Sequence, residues 1–325
     1  NRRMQNSVSQ PRFNYGGQAV IEGVMMRGSK ALAVAVREPH GSIVMHSEPI
    51  NQALYNGPIS RIPFVRGLSM LWDSLGLGMR SLMYSANIAA SELDEPKTVP
   101  AEGAAAAPAP ASDIFNGPIG WGVIAFSVVF AIAIFLFVPK WLATFVDASA
   151  TSLGSAFIEG GIRLLVFIAY IVLVSRSKEI GRVFGYHGAE HKTINAYEAG
   201  DELTVENVQR HSLQHPRCGT AFLLTVVLLS IVFFAPLHDL PLVLGMILRI
   251  LLVPVVAMFA YEYIRFSARH LKNPIMRALI APNLAMQLLT TRQPDNSMVE
   301  VAISALKKVL DTEQLKPLNP EHMIP

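Results

Sequence analysis

Four long apolar runs constrain this chain more than any other feature. They cover residues 119–138, 153–175, 219–236 and 240–264, each long enough to cross a hydrocarbon core of about 30 Å as a helix. In lipid every backbone N–H and C=O must find its partner within the protein, so these runs predict helices. Only 16% of the residues are charged and 51% are hydrophobic, whereas a soluble chain carries roughly a quarter charged residues. The expected fold class is a mainly α membrane protein: four transmembrane helices, a small N-terminal cytosolic α+β unit and a C-terminal amphipathic helix. Only Leu237-His238-Asp239 separates the third run from the fourth, which predicts an antiparallel helical hairpin. Glu159 and Arg163 lie near the outer end of the second run and Arg249 lies inside the fourth. A charge placed so marks either a functional residue or an ion pair, and Glu159 or Asp239 is the expected partner of Arg249.

Lysine and arginine set the orientation. Residues 1–118 hold ten of them, 176–218 six and the tail from Arg265 eight, whereas 139–161 holds Lys140 alone and 236–241 none. The positive-inside rule then places both termini and the 176–218 loop in the cytoplasm, in a multi-pass protein of the inner (plasma) membrane. The lipid bilayer is the expected partner, with membrane-protein partners or a homo-oligomer as further possibilities. A formal charge of +3, dispersed along the chain, speaks against nucleic acid. The single cysteine, Cys218, excludes an intramolecular disulfide.

The remaining segments divide by composition. Residues 1–91 form a cytosolic N-terminal unit whose first 12 residues are polar and expected to be disordered, with no signal-peptide core after Asn1-Arg2-Arg3. A glycine-punctuated apolar stretch, 16–28, carries Glu22 and Arg27; its spacing fits no phosphate-binding fingerprint and reads as tight turns in a small β unit. Runs 31–37 and 42–47, joined by Pro39-His40-Gly41, read as a hairpin. Over 61–90, Leu68, Leu71, Trp72, Leu75, Met79, Leu82, Met83 and Ala86 recur at helical spacing, giving an amphipathic helix that lies in the membrane interface or packs on the spanning bundle. Residues 92–117, rich in Ala and Pro, form a linker before the membrane domain, 118–264. In the cytosolic tail, 265–325, Ser297 and Glu300 spell a capping box before Val299, Ala302, Ile303, Leu306, Val309 and Leu310. That helix is expected to dock on the N-terminal unit.

Between the second and third runs lies a polar block, 186–220, with four of the nine histidines, the only cysteine and four glutamates. Its sharpest piece is His187-Gly-Ala-Glu190-His191. On a helix over 187–199 the two histidines stand one turn apart and can reach one metal ion, with Glu190 beside them as a general base. The spelling H-x-x-E-H is also that of inverted zinc peptidases. An i,i+4 histidine pair on a polar interfacial helix is the plainer alternative. A third ligand would come from His215 or Cys218, then Glu198, then Glu262. Glu198 stands seven residues beyond His191, roughly 10 Å along the axis. Cys218 precedes an apolar helix, whose N-terminus favours a thiolate ligand. Arg217 is an anion binder or a partner of Glu190 or Glu198. Three functions fit: a metal-dependent membrane enzyme, a hydrolase if enzymatic, with a divalent ion, zinc first; a scaffold with a structural metal or ion-pair cluster; or a transporter using Arg249 and Glu159, against which the lack of an internal repeat argues.

GGQAVIEGVMMRG near the N-terminus, IPFVRGL at 62–68, YHGAEHKTINAYE at 186–198, HPRCGTAFLL at 215–224 and TTRQPD at 290–295 together resemble the YqhQ-like family of bacterial multi-pass membrane proteins. The likeness runs from about residue 15 to 310. It implies a domain of unknown function described as a predicted metal-dependent enzyme. Its polar signature falls on Glu22, Arg27, His187, Glu190, His191, Glu198, His215, Arg217 and Cys218; His211 lies outside it. Read from the residues themselves, the expected metal ligands are His187, His191, His215 and Cys218, the expected catalytic residue is Glu190, and the expected anion or substrate binders are Glu22, Arg27, Glu198 and Arg217.

Overall fold

The computed structural model describes residues 15–52, 55, 57–90, 118–146 and 152–313. The polar lead, the Ala/Pro linker and the end of the tail fall outside these described residues. Four strands, β1 (Gly16–Val20), β2 (Gly23–Arg27), β3 (Ala31–Arg37) and β4 (Ile43–Pro49), make an antiparallel meander in chain order. The expected hairpin is β3–β4, with Val34 opposite His46. The glycine-punctuated stretch supplies β1 and β2, joined by a tight turn in which Glu22 adopts φ 51°. β2 and β3 are apolar almost without alternation because both sheet faces are covered. Val24, Met26, Ala33 and Ala35 pack into one core and Met25, Leu32, Val34 and Val36 into another.

Helix α1 (Val65–Ala90) covers the second face through Leu77. Tyr84 and Ile88 pack beside it, and Gly67, Gly78, Ser81 and Ser85 are the small buried residues of the helix. A Cβ on Gly67 would come 3.0 Å from the Tyr261 ring. The expected apolar stripe points outward, with Leu68, Trp72, Leu75, Met79 and Leu82 exposed and Trp72 at 79%. Of the two placements read from the sequence, packing on the spanning bundle is present, through Gly67 on Tyr261 and Arg66 on Glu262.

The first spanning helix is continuous from α2 (Pro118–Ile132) through a π-turn (Ala133–Phe137) into α3 (Val138–Val146). The sequence reading ended this run before Pro139; the helix passes through it. Pro139 cannot donate to the Phe135 carbonyl four residues back, and Arg163 Nε donates to that carbonyl instead, at 3.1 Å. α4 (Ser152–Val174) follows, then α5 (Lys178–Ala199) and the short α6 (Val205–Gln209). α7 (Gly219–Phe234) and α8 (Leu242–Arg269) form the expected hairpin. Among the described residues four helices are long and apolar enough to span a membrane: Ala125–Val146, Leu153–Val174, Gly219–Leu237 and Leu242–Arg269.

α9 (Pro274–Thr290) returns along α7, where Asn283 Nδ2 donates to Thr225 Oγ1 at 3.1 Å. α10 (Asn296–Thr312) docks on β2, β3 and α5, burying Val299, Ala302, Leu306, Val309 and Leu310. Its cap is Asp295, which accepts from the Met298 N–H at 2.9 Å, rather than the expected Ser297. Glu300 reaches Arg37 instead, at 2.8 Å. The sheet, α5 and α10 thus share one hydrophobic core, and α5 carries the histidine pair.

Candidate metal centre

α5 begins nine residues before His187, at an N-cap Ser177, and ends at Gly200 with φ 86°. The histidines therefore sit mid-helix rather than in a first turn. Gly188 serves close packing there: a Cβ would lie 2.1 Å from the Arg292 carbonyl oxygen. This lets the 290–293 segment run against the helix, where Arg292 N–H donates to Phe184 O at 2.9 Å.

His187 Nδ1 lies 2.8 Å from the Thr290 carbonyl and His191 Nδ1 lies 2.5 Å from the Leu213 carbonyl. A carbonyl can only accept, so both rings carry hydrogen on Nδ1, which in the neutral ring leaves the lone pair on Nε2. His187 Nε2 is 3.1 Å from Cys218 Sγ, while His191 Nε2 is buried without a hydrogen-bond partner among the described residues. Donor atoms of His187, His191 and Cys218 all lie within 4.8 Å of one another, and all three residues are buried. In a tetrahedral zinc site the N···N and N···S edges are about 3.3–3.6 Å. Backbone carbonyls that fix ring orientation from the far nitrogen are the usual outer partners of metal-bound imidazole. The group could hold a metal ion.

Cys218 is the N-cap of α7, its Sγ accepting from the Thr220 N–H at 3.4 Å. Its position is built from α5. Lys192 Nζ donates to the Gln209 and His211 carbonyls at 2.7 and 2.8 Å, and Asn195 Nδ2 to those of Ser212 and Gln214 at 2.9 and 3.1 Å. Gln287 then brackets His215, accepting from its N–H and donating to its carbonyl, both at 2.8 Å. Glu190 is buried, with Oε2 3.9 Å from His187 Nε2.

His215 turns elsewhere. Its Nε2 is 3.7 Å from Glu198 Oε2, and Arg217 bonds the other Glu198 oxygen. Burial would push the Glu198 carboxyl up, but the bonds and charges of His215 and Arg217 outweigh it and hold Glu198 below the usual carboxylate range. The His191 and His215 ring centres are 5.7 Å apart, but the mutually close donor atoms are those of His187, His191 and Cys218, and His215 Nε2 is turned to Glu198. His211 pairs with Asp201 at 2.8 Å. Glu262 takes Arg66, at 2.7 Å from Nε, and ties α8 to α1.

Glu22 lies in the β1–β2 turn and Arg27 at the end of β2. Glu22 bonds Arg182, at 2.5 Å from Nε, and the Tyr186 hydroxyl at 3.2 Å. Arg27 lies over the Tyr55 ring, 4.2 Å from its centre, and donates to Ser74 Oγ at 3.3 Å. Arg249 is buried and meets Glu159, its Nη1 2.8 Å from Oε1 and its Nη2 3.0 Å from Oε2. Arg163 Nη2 shares that Oε1 at 2.6 Å. Sequence reasoning missed Gln287 and the Thr290 and Leu213 carbonyls; the TTRQPD motif was the only signal for Thr290.

Residues 62–312 match a family model described as a protein of unknown function (DUF1385). A Bacillus subtilis protein described as uncharacterized protein YqhQ is 33% identical over 314 residues, which cover 95% of this chain and 97% of that protein. No solved structure matches.

Proposed function

This chain belongs to the YqhQ-like family of unknown function (DUF1385), and from that premise we propose that it is a metal-dependent membrane enzyme, a hydrolase, whose site faces the cytoplasm at the membrane surface. The carrying observation is that two imidazoles, each locked by a carbonyl on Nδ1, stand with donor atoms within 4.8 Å of each other and of one buried thiol, which His187 Nε2 meets at 3.1 Å. His187, His191 and Cys218 would hold a divalent ion, zinc by the softness of a thiolate and the three-ligand count of catalytic zinc sites. The ion when bound supplies Lewis acidity. Glu190 takes a proton from the attacking water as general base, standing 3.9 Å from His187 Nε2. Arg217, held by Glu198, offers its remaining N–H donors to a substrate anion. In this arrangement both termini and loop 176–218 are cytoplasmic, in the inner membrane, an orientation that the lysine and arginine distribution supports.

The burial of the donor set favours a second reading, a scaffold with a structural ion in which Glu190 fills the fourth position. Metal content of the purified full chain separates the two. Wild type should retain one zinc per chain, and H187A, H191A and C218A should each lose most of it. E190Q should keep the ion if Glu190 is a base and release it if Glu190 is a ligand. Wild-type protein without metal, or X-ray absorption showing no sulfur ligand, refutes both.

A further inference from the structure

An open cleft of about 380 Å³ lies where α4 passes into α5, against the link between α9 and α10. Its walls carry four cations, Arg176, Lys178, Arg182 and Arg292, and one acid, Asp295. Val174 ends the second candidate span, so Arg176 and Lys178 stand two and four residues beyond the apolar run, where a bilayer crossed by that span would meet water. The first turn of α5 forms one wall and brings the positive end of a 22-residue helix to the cleft.

The neighbouring acids are engaged. Asp295 caps α10 and accepts from Ser297 Oγ at 2.6 Å; Glu22 holds Arg182; Glu179 accepts from the Ser177 hydroxyl at 2.5 Å. Arg292 is anchored through the Ser175 carbonyl. Two guanidiniums are thus fixed with N–H donors to spare, while Arg176 and Lys178 are exposed and have no ion-pair partner among the described residues. Fixed forks plus two free cations beside a helix N-terminus suit a phosphate group.

We propose that this cleft binds a phosphate group presented at the membrane surface, the headgroup of an anionic phospholipid. Its occupant would touch the backbone that orients the donor triad, because Arg292 lies two residues from Thr290, whose carbonyl holds His187. The proposal does not depend on a metal being bound.

The test uses the purified full chain in nonionic detergent. Phosphatidylglycerol is titrated and its adducts counted by native mass spectrometry, and inorganic phosphate is titrated by calorimetry. Each cation near an anionic headgroup is worth about a fivefold change in affinity, so R176Q/K178Q should weaken phosphatidylglycerol binding by about 25-fold. K307Q, on α10 and outside the cleft lining, should leave it unchanged. The single variants, at about fivefold each, serve if the double variant does not fold. Binding of inorganic phosphate alone, lost in the same variants, would keep the site and identify its source as soluble phosphate. Binding of both probes unaffected by R176Q/K178Q, or weakened equally by K307Q, overturns the proposal.

Discussion

Glu159→Ala should be among the most destabilising single changes in the membrane-spanning part. Glu159 is buried and its Oε1 is shared by two guanidiniums, with nitrogens at 2.6 and 2.8 Å, so those nitrogens lie at most about 5.4 Å apart. At an effective dielectric of about 20, two unit charges at that distance repel by about 3 kcal/mol once the carboxylate is gone. Removing one partner of a buried ion pair costs about 3–5 kcal/mol in general, so a loss of at least ~3 kcal/mol is expected. Arg249→Leu should cost far less, because Glu159 keeps Arg163, and Arg163 also keeps Ser230 Oγ at 3.2 Å and the Phe135 carbonyl. The double variant E159A/R249L should recover part of the E159A loss, since it leaves one cation with two neutral acceptors. The assay is equilibrium unfolding of the full chain in mixed micelles with rising dodecyl sulfate, run as a double-mutant cycle. A loss under about 1 kcal/mol for E159A, or a greater cost for R249L than for E159A, would refute the shared-carboxylate account.

Two further outcomes follow from the surroundings of the centre. Gly188→Ala places a Cβ where the Arg292 carbonyl now lies at 2.1 Å, so the 290–293 segment must move away. The expected cost is about 1–3 kcal/mol, with metal content falling although no ligand has changed; a variant with wild-type melting temperature and metal content would sink this reasoning. Glu198 has a folded-state pKa below its unfolded value, so its pairing contributes stability above the unfolded carboxylate range that is lost as pH falls through the folded pKa. Arg217→Gln should therefore melt below wild type at pH 7, with the two curves converging in acid below about pH 4.5. Parallel melting curves across that range would show that the pair contributes nothing.

The spans were legible because lipid leaves the backbone no other choice, and the strands because turn residues punctuate short apolar runs. The helix through Pro139 was not, since the group that rescues the Phe135 carbonyl is an arginine 28 residues away. Capping chemistry misled in the same way: Ser297 and Glu300 fit a capping box, but Asp295 lies close enough to take the Met298 N–H and Arg37 competes for Glu300. His187 and His191 could be read from their spacing alone, because a helix fixes where i and i+4 residues stand.

The third donor could not be read this way. His215, Cys218, Glu198 and Glu262 were all candidates, and the selection is made by acceptors that no side-chain pattern records. The carbonyls of residues 209–214, gathered by Lys192 and Asn195, carry the loop past α5 until Cys218 meets His187, while Gln287 and Glu198 hold His215 aside. Thr290 and Leu213 then decide which nitrogen each histidine offers. Side chains that carry charge or bind metal leave a mark in the sequence because misplacing them is expensive. The backbone oxygens that aim them belong to any residue, so the aim of this centre became visible only where three distant segments meet.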